Sequence, residues 1–138
     1  MTCLDDLSVV LGGSTLRFAE RHRAVDPRDG RTFFLVQAQE PGLSARLERV
    51  TNFVSGTELA EFIDGLDYRG WDGSVAWENA DRDLAVRALF TSGGHIRLTR
   101  TLRPWRCRYG GWEASVVTSV EAGAEKDAQA ADLREFLS

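Results

Sequence analysis

The chain has 138 residues, a formal net charge of −4, 43% hydrophobic residues and 28% charged residues. A chain of this length folds as one domain and buries a sizeable core without help from disulfides or metals. The composition excludes a disordered chain, no apolar run approaches the roughly 18 residues of a membrane span, and the acidic balance disfavours general nucleic-acid binding.

Apolar and polar residues alternate through the first third of the chain, as they do in β-strands. Leu7 to Leu11 and Leu16 to Glu20 flank two glycines, which predicts a hairpin. The polar residues 22–31 predict a loop. Thr32 to Gln39 is apolar on both faces, which predicts a central strand covered on both sides. Leu43 to Thr51 alternates again and predicts a fourth strand.

An amphipathic helix is predicted next. Ser55 is placed to cap it, and Glu58 three residues later completes a capping box. Gly65 is a suitable C-terminal stop. One apolar face is formed by Leu59, Phe62, Ile63 and Leu66. Such a stripe requires an apolar partner, so we expect this helix to lie on a sheet.

A second β block and a closing helix complete the predicted fold. Four more strands are predicted over residues 75–78, 84–90, 96–102 and 112–120. Trp77 and Trp112 are predicted to lie in the core. Gly123 to Leu137 predicts a helix whose small, polar first half we expect to be frayed. The fold class is therefore α+β: a largely antiparallel sheet of about seven to eight strands in two meanders, with one central and one C-terminal helix, in a single domain over 1–138.

One residue does not fit the predicted apolar register. Arg100 lies among the apolar positions Ile96, Leu98 and Leu102. We therefore expect it either to pair with a buried acid or to lie on an exposed edge strand.

Several short motifs resemble a known family. They are Tyr68-Arg69-Gly70-Trp71-Asp72-Gly73, the pair Trp77-Glu78, the segment Gly94-His95-Ile96-x-Leu98 and Trp112-x-Ala114. The pattern resembles a family of small uncharacterised actinobacterial proteins, a domain of unknown function, over roughly residues 7–137. The resemblance implies a single cytoplasmic α+β domain with no assigned activity. The chain departs from the family pattern at Arg100 and at Asp127-Ala128.

The sequence contains none of the motifs of common catalytic centres: no zinc-protease helix, nucleophile elbow, phosphate-binding loop or paired cysteines. His95 and Cys107, with Arg106 and Arg108 beside the thiol, are the only candidates for a nucleophile and base. A structural histidine and an ordinary thiol are the alternative. The sequence therefore favours a non-catalytic domain, without metal or cofactor, over an enzyme.

Charge is unevenly distributed along the chain. Eight acids and two arginines lie between Glu58 and Asp83, whereas five arginines and no acid lie between Arg97 and Arg108. Two opposed patches would steer partners of opposite charge. Solvated faces that pair with each other are the alternative. The acids singled out as an interaction surface are Asp64, Asp67 and Asp72.

Two tryptophans fall in predicted loops with arginines beside them. An indole in a loop can anchor an interface or line a pocket, and guanidinium groups can orient an anion. It can also simply cap the end of a sheet. The residues of this candidate contact site are Arg69, Trp71, Asp72, Trp105, Arg106 and Arg108.

The sequence thus favours a non-catalytic protein-interaction domain with an unknown protein partner, of which an immunity or antitoxin protein is one form. A domain that binds a small anionic ligand is the alternative, and a small enzyme is a third. The acidic start and the two cysteines, too few for a disulfide framework, indicate the cytoplasm. No membrane, nucleic acid or cofactor is expected as a partner, and the oligomeric state stays open.

Overall fold

The computed structural model of the chain describes residues 8–11, 16–26, 28–52, 57–79, 82–104 and 111–137. The fold is α+β, with two four-stranded antiparallel sheets and two helices. The elements are β1 (Ser8–Leu11), β2 (Leu16–Arg23), β3 (Thr32–Glu40), β4 (Leu43–Asn52), α1 (Glu58–Asp64), β5 (Ser74–Glu78), β6 (Leu84–Thr91), β7 (His95–Leu102), β8 (Ala114–Glu121) and α2 (Ala124–Leu137).

Each sheet is a meander in which strands pair in chain order, β1 to β4 in one and β5 to β8 in the other. The sequence predicts two meanders but assigns them to one sheet. In the described chain the meanders are separate sheets that contact each other through β3 with β8 and β4 with β7. One continuous core fills the space between them.

The first sheet follows the predicted pattern closely. The N-terminal hairpin is confirmed, although β2 extends to Arg23, beyond the residues whose alternation predicts it. On β3, Phe34 and Val36 lie in the main core, and Phe33 and Leu35 are buried as well. The prediction of a central strand covered on both faces is therefore confirmed.

Helix α1 begins later than the sequence predicts. Its N-cap is Thr57, whose hydroxyl lies 2.9 Å from the Oε2 atom of Glu61, rather than Ser55, which lies outside the described residues. Gly65 ends the helix as predicted. The apolar stripe is confirmed, since Leu59, Ile63 and Leu66 are buried and Phe62 is half-buried against the core.

The second sheet buries one face, and its last strand starts later than predicted. Ala114 is the first residue of β8 and lies opposite Leu102. Trp112 therefore lies beyond the ladder and is 41% exposed. Its predicted place in the core is wrong, whereas Trp77 is half-buried and packs on the core.

Helix α2 joins the two sheets and packs along α1. Its Phe136 ring lies 6.2 Å from the ring of Phe18 and 5.9 Å from that of Phe34, both in the first sheet. The first half of α2 is not frayed. Lys126 is 4% exposed, and its Nζ atom donates to the main-chain oxygen of Asp64 at 2.9 Å. The polar side chain of Lys126 thus forms a buried contact between α2 and the end of α1.

Candidate functional site

The predicted aromatic and cationic contact site is placed only in part. Arg69, Trp71 and Asp72 share the turn between α1 and β5, while Trp105, Arg106 and Arg108 lie outside the described residues. The Arg69 Nε atom lies 3.2 Å from the Oδ1 atom of Asp67. Asp72 is exposed. This turn therefore offers one exposed acid and one ion-paired arginine.

Trp71 in the same turn is held by an aromatic neighbour. Its ring packs edge-to-face on Phe90, with the ring centroids 5.6 Å apart. Gly70 allows this approach, since a Cβ atom there would lie 2.8 Å from the Phe90 ring and the residue has a φ of +97°. The indole N–H of Trp71 is buried without a hydrogen-bond partner in the described chain. The main observed role of Trp71 is therefore to pack against Phe90.

The three acids of the predicted interaction surface are not equally free to bind a basic partner. The Arg69 main-chain N–H, and after it the guanidinium, lower the pKa of Asp67 from its ordinary 3.8. The Asp64 carboxylate lies 3.8 Å from the guanidinium of Arg134 on α2. Only Asp72 among the three is exposed without such a pair within the described residues.

The described arginines after residue 96 do not form one patch. Side chains alternate between the two faces of a strand, so Arg97 is exposed on one face of β7 and Arg100 is buried on the other. Arg103 follows the strand and lies between Glu78 and Glu113, at 3.6 and 3.4 Å. The last two arginines of the run lie outside the described residues. The three described arginines of the run therefore do not act together.

Arg100 matches neither prediction made for it. It is 2% exposed and lies on a central strand rather than an edge. Its guanidinium donates to the hydroxyl of Thr118 at 2.6 Å and to the side-chain oxygen of Gln129 at 3.1 Å. Both partners are neutral, and no acid in the described chain pairs with it. Burial lowers its pKa from 12.5 to about 10, so the group stays charged at neutral pH.

The candidate catalytic residues are not brought together in the described part of the chain. His95 is exposed at the β6–β7 hairpin, where its Nδ1 atom lies 3.1 Å from the main-chain oxygen of Gly93. Cys107 lies outside the described residues. His22 stacks on Phe33 with centroids 5.6 Å apart. Within the described ranges, no group of three or more His, Cys, Asp or Glu side chains is arranged to hold a metal ion.

The most distinctive surface is the solvent-facing side of the second sheet, which we call the open face. Its side chains alternate with the buried ones along β5 to β8. No helix or strand of the described chain packs on it in the way that α2, β3 and β4 pack on the inner side. The open face comprises Ser74, Ala76, Glu78, Ala85, Arg87, Leu89, Thr91, His95, Arg97, Thr99, Thr101, Ser115, Val117, Ser119 and Glu121.

Two arginines lie at the centre of the open face. Arg87 is opposite Thr99, and Arg97 is opposite Leu89, so the two arginines are diagonal neighbours on adjacent strands. The Arg87 Nη1 atom donates to the hydroxyl of Ser74 at 3.2 Å. Neither guanidinium forms an ion pair with a carboxylate of the described residues. Both cations are exposed and surrounded mainly by hydroxyl groups and small side chains.

The acids at the ends of the open face are already engaged. Glu78 lies 3.4 Å from Arg82 and 3.6 Å from Arg103. The Glu121 carboxylate accepts hydrogen bonds from the main-chain N–H groups of Gly123 and Glu125, at 3.1 and 3.2 Å, at the start of α2. Within the described residues, neither carboxylate forms an ion pair with Arg87 or Arg97.

An open depression of about 480 Å³ lies at the Glu78 end of this face. Its lining includes Arg87, Arg103, Thr99 and Thr101. Arg87 and the two threonine hydroxyls offer donors to an anion, whereas Arg103 is already paired with Glu78 and Glu113, which also line the depression.

Sequence reasoning missed Arg87 as a site residue. The alternation of residues 84–90 assigns Arg87 to the solvent side of its strand. The glycine turn at 93–94 fixes the register with the next strand and brings Arg97 beside it. Both signals were present in the sequence, but only their combination brings the two arginines together.

A comparison with known families decides the chain's affiliation. A model of a family of unknown function, DUF6228, matches residues 5–138. The chain belongs to this family. The resemblance to a domain of unknown function is thereby confirmed. No curated protein and no solved structure matches the chain. Of the helices in the described residues, neither is long and apolar enough to cross a membrane.

Proposed function

We propose that this chain is a cytoplasmic, non-catalytic protein-interaction domain whose open face binds an acidic surface of a partner protein. The observation that carries the proposal is the pair Arg87 and Arg97, two exposed cations without a carboxylate partner among the described residues. A guanidinium group binds carboxylates through two parallel hydrogen bonds, and the hydroxyls around it supply further donors.

The shape of the site favours a protein over a small molecule. Small-molecule pockets are concave, mostly apolar and enclose most of the ligand surface. The open face is instead a sheet surface with polar, small and charged side chains, and its depression is open to solvent. Leu89 and Val117 are exposed on it and add apolar contact area. Such a mixture of apolar and polar groups is typical of interaction surfaces.

The reverse arrangement, an acidic surface that covers a basic partner, has weaker support. It is the immunity or antitoxin form of the hypothesis and relies on Asp64, Asp67 and Asp72. Two of these acids already lie near arginines of the chain itself, Arg134 and Arg69. A basic partner would have to compete with those arginines for the acids. An acidic partner of Arg87 and Arg97 would meet no such competition from the described residues.

A small anionic ligand is the second candidate function, and the depression is the observation that favours it. Arg87 lines it together with Arg103, Thr99 and Thr101. A ligand held there would raise the melting temperature. We expect Arg87→Ala to remove this stabilisation by any anionic compound that produces it. If no compound of an anionic metabolite set stabilises the native chain, this candidate fails.

The test of the main proposal is an affinity capture from lysate of the native host, read by mass spectrometry, with three forms of the chain. The first is the native chain, and the second is Arg87→Glu/Arg97→Glu. The third is Arg17→Glu/Arg23→Glu, which makes the same charge change at exposed positions of the first sheet. We expect one stoichiometric partner that the native chain and the third form retain and the second form loses.

Two results would count against the proposal. A partner retained equally by Arg87→Glu/Arg97→Glu would show that the open face is not the contact surface. The absence of a stoichiometric partner for the native chain would shift the weight to the small anionic ligand. Thermal melts of all three forms check that each one is folded.

A further inference from the structure

Strand β8 forms one of the two edges of the second sheet. One contact shows which of its residues hydrogen-bond to β7 and which direct their main-chain groups away from the sheet. The main-chain N–H of Ala122 donates to the oxygen of Gly94 at 2.9 Å. In an antiparallel pair, such bonded positions alternate with positions that direct their main-chain groups away from the neighbouring strand. Ser115, Val117 and Ser119 therefore direct their N–H and C=O groups outward from the sheet.

One end of this edge is blocked by the chain itself. Glu121 has the same phase, and its outward N–H donates to the Oε1 atom of Glu125 at 2.6 Å. At Ser115, Val117 and Ser119, no hydrogen bond from the described chain reaches the outward main-chain groups. Three consecutive outward positions are thus available for pairing.

The other three sheet edges carry protection that β8 lacks. Edge strands are normally shielded by cover, bulges, shortness or charge. Strand β1 has only four residues. Strand β4 contains a bulge and the ion pair of Arg46 with Glu48, at 3.3 Å. Strand β5 has only five residues and ends at the ion-paired Glu78.

Strand β8 offers a long, uncharged edge. Its residues from Ala114 to Ser119 include no charged side chain and no proline. Val117, at the middle of the three outward positions, is 55% exposed. An exposed uncharged edge strand is a template for another strand.

We propose that β8 pairs antiparallel with β8 of a second copy of this chain. The outward pattern of serine, valine and serine is palindromic, so it is complementary to itself. In the register centred on Val117, Ser115 of each copy lies opposite Ser119 of the other, and three residue pairs exchange six main-chain hydrogen bonds. Antiparallel self-pairing has the two-fold symmetry that homodimers most commonly use.

This pairing would join the two second sheets into one sheet of eight strands. The open faces of both copies then lie on the same side, because side chains alternate in register across the new pair. The dimer therefore carries two copies of the Arg87 and Arg97 pair on the same surface. The dimer depends on the edge alone, so it stands or falls independently of the acidic partner proposed above.

The affinity of the dimer should be low. One pair of short strands belongs to the smaller class of protein interfaces. The centred register also places Glu113 opposite Glu121 of the second copy, just beyond each end of the ladder. Like charges that face each other across strands are destabilising. We therefore expect a reversible dimer whose stability increases with ionic strength.

The test is sedimentation velocity of the native chain over a concentration series up to about 200 µM, a range suited to weak interfaces. Val117→Lys should leave the fold intact, since the side chain is largely exposed, and should abolish the dimer. Val25→Lys is the matched control, because Val25 is fully exposed in the β2–β3 loop and the charge change is the same. We expect it to dimerise like the native chain.

A second variant tests the register. Glu113→Gln removes the like-charge contact at both ends of the ladder, so we expect it to tighten the dimer about threefold or more. A native chain that is monomeric throughout the concentration series overturns the proposal. So does a dimer that persists in Val117→Lys. A dimer that is lost in Val117→Lys but unchanged in Glu113→Gln overturns the centred register.

Discussion

Arg100 on β7 and Gln129 on α2 are joined by a hydrogen bond of 3.1 Å inside the protein. The bond links the second sheet to the helix that also packs against the first sheet. Because the guanidinium has only neutral partners within the described residues, its charge is solvated by an amide and a hydroxyl rather than balanced by an acid. Substitutions of these two residues can therefore measure how much the hydrogen bonds to a buried charge contribute to the stability of the fold.

We predict that Gln129→Leu destabilises the protein by about 2 kcal/mol, because the Nη2 group of the buried guanidinium loses its acceptor while Nη1 keeps the Thr118 hydroxyl. Arg100→Met in the same chain should recover most of that loss, since both polar partners are then replaced by apolar groups. Chemical denaturation of the two single variants and the double variant measures the coupling. Additive effects would show that the Arg100–Gln129 bond is energetically unimportant.

We predict that the contact of Lys126 with α1 is worth more than that of Arg134. Lys126 is buried and donates to the main-chain oxygen of Asp64, whereas the Arg134 ion pair with the Asp64 side chain is 3.8 Å long and half-exposed. Lys126→Ala should cost about 2 kcal/mol and Arg134→Ala less than about 1 kcal/mol. Denaturant unfolding compares them, and equal losses would contradict the assignment.

We predict that Gly70→Ala is more damaging than Gly73→Ala. Both glycines have positive φ angles, +97° and +78°, but only a Cβ atom at Gly70 would meet Phe90, at 2.8 Å. Backbone strain alone should cost about 1 kcal/mol at Gly73, and the added clash should bring the cost at Gly70 to about 3 kcal/mol. Thermal melts give the difference, and equal costs would mean that the Phe90 ring moves away freely.

We predict that two partly exposed carboxylates respond differently when their arginines are replaced. The pKa of Asp29 is lowered from 3.8 chiefly by the Arg31 side chain, with an Nη2–Oδ2 distance of 2.6 Å. The pKa of Asp67 is lowered chiefly by the main-chain N–H of Arg69, which a substitution retains. Arg31→Gln should therefore raise the Asp29 pKa further than Arg69→Gln raises that of Asp67. Carbon-detected NMR titration measures both, and the opposite order would contradict this ranking.

The sign of the pH effect follows from these shifts. A carboxylate whose pKa is lower in the folded state contributes stability that is fully present above its unfolded pKa, at about pH 4. The contribution is lost as the pH falls through the folded pKa. In Arg31→Gln the part due to Asp29 should shrink, so the acid limb of the stability curve should become less steep below about pH 4.

The local parts of the fold could be predicted from the sequence because they depend on the pattern of apolar residues within one element. The run of apolar residues along β3 and the apolar stripe from Leu59 to Leu66 each indicate burial within one element. What could not be predicted depends on partners distant in the chain. Arg100 is buried because Gln129, 29 residues later, reaches it. Lys126 is buried because α1 ends against it.

The candidate site was harder to predict for a related reason. Runs of like charge along the sequence suggested patches, but the faces of a strand separate neighbouring charges. Arg97 and Arg100 therefore lie on opposite sides of one sheet, while Arg87 and Arg97, ten positions apart, share a face. Charge patterning in a β protein has to be interpreted through the register of the strands.

The position of α2 in the chain order determines when folding can be completed. Each sheet is a meander of consecutive strands, so each can assemble from local hairpins as it is synthesised. The aromatic contacts of Phe136 with Phe18 and Phe34 come from the last element described. A ribosome-bound chain that lacks this helix would therefore present uncovered apolar faces, and we expect such nascent chains to be recognised by chaperones until Phe136 emerges.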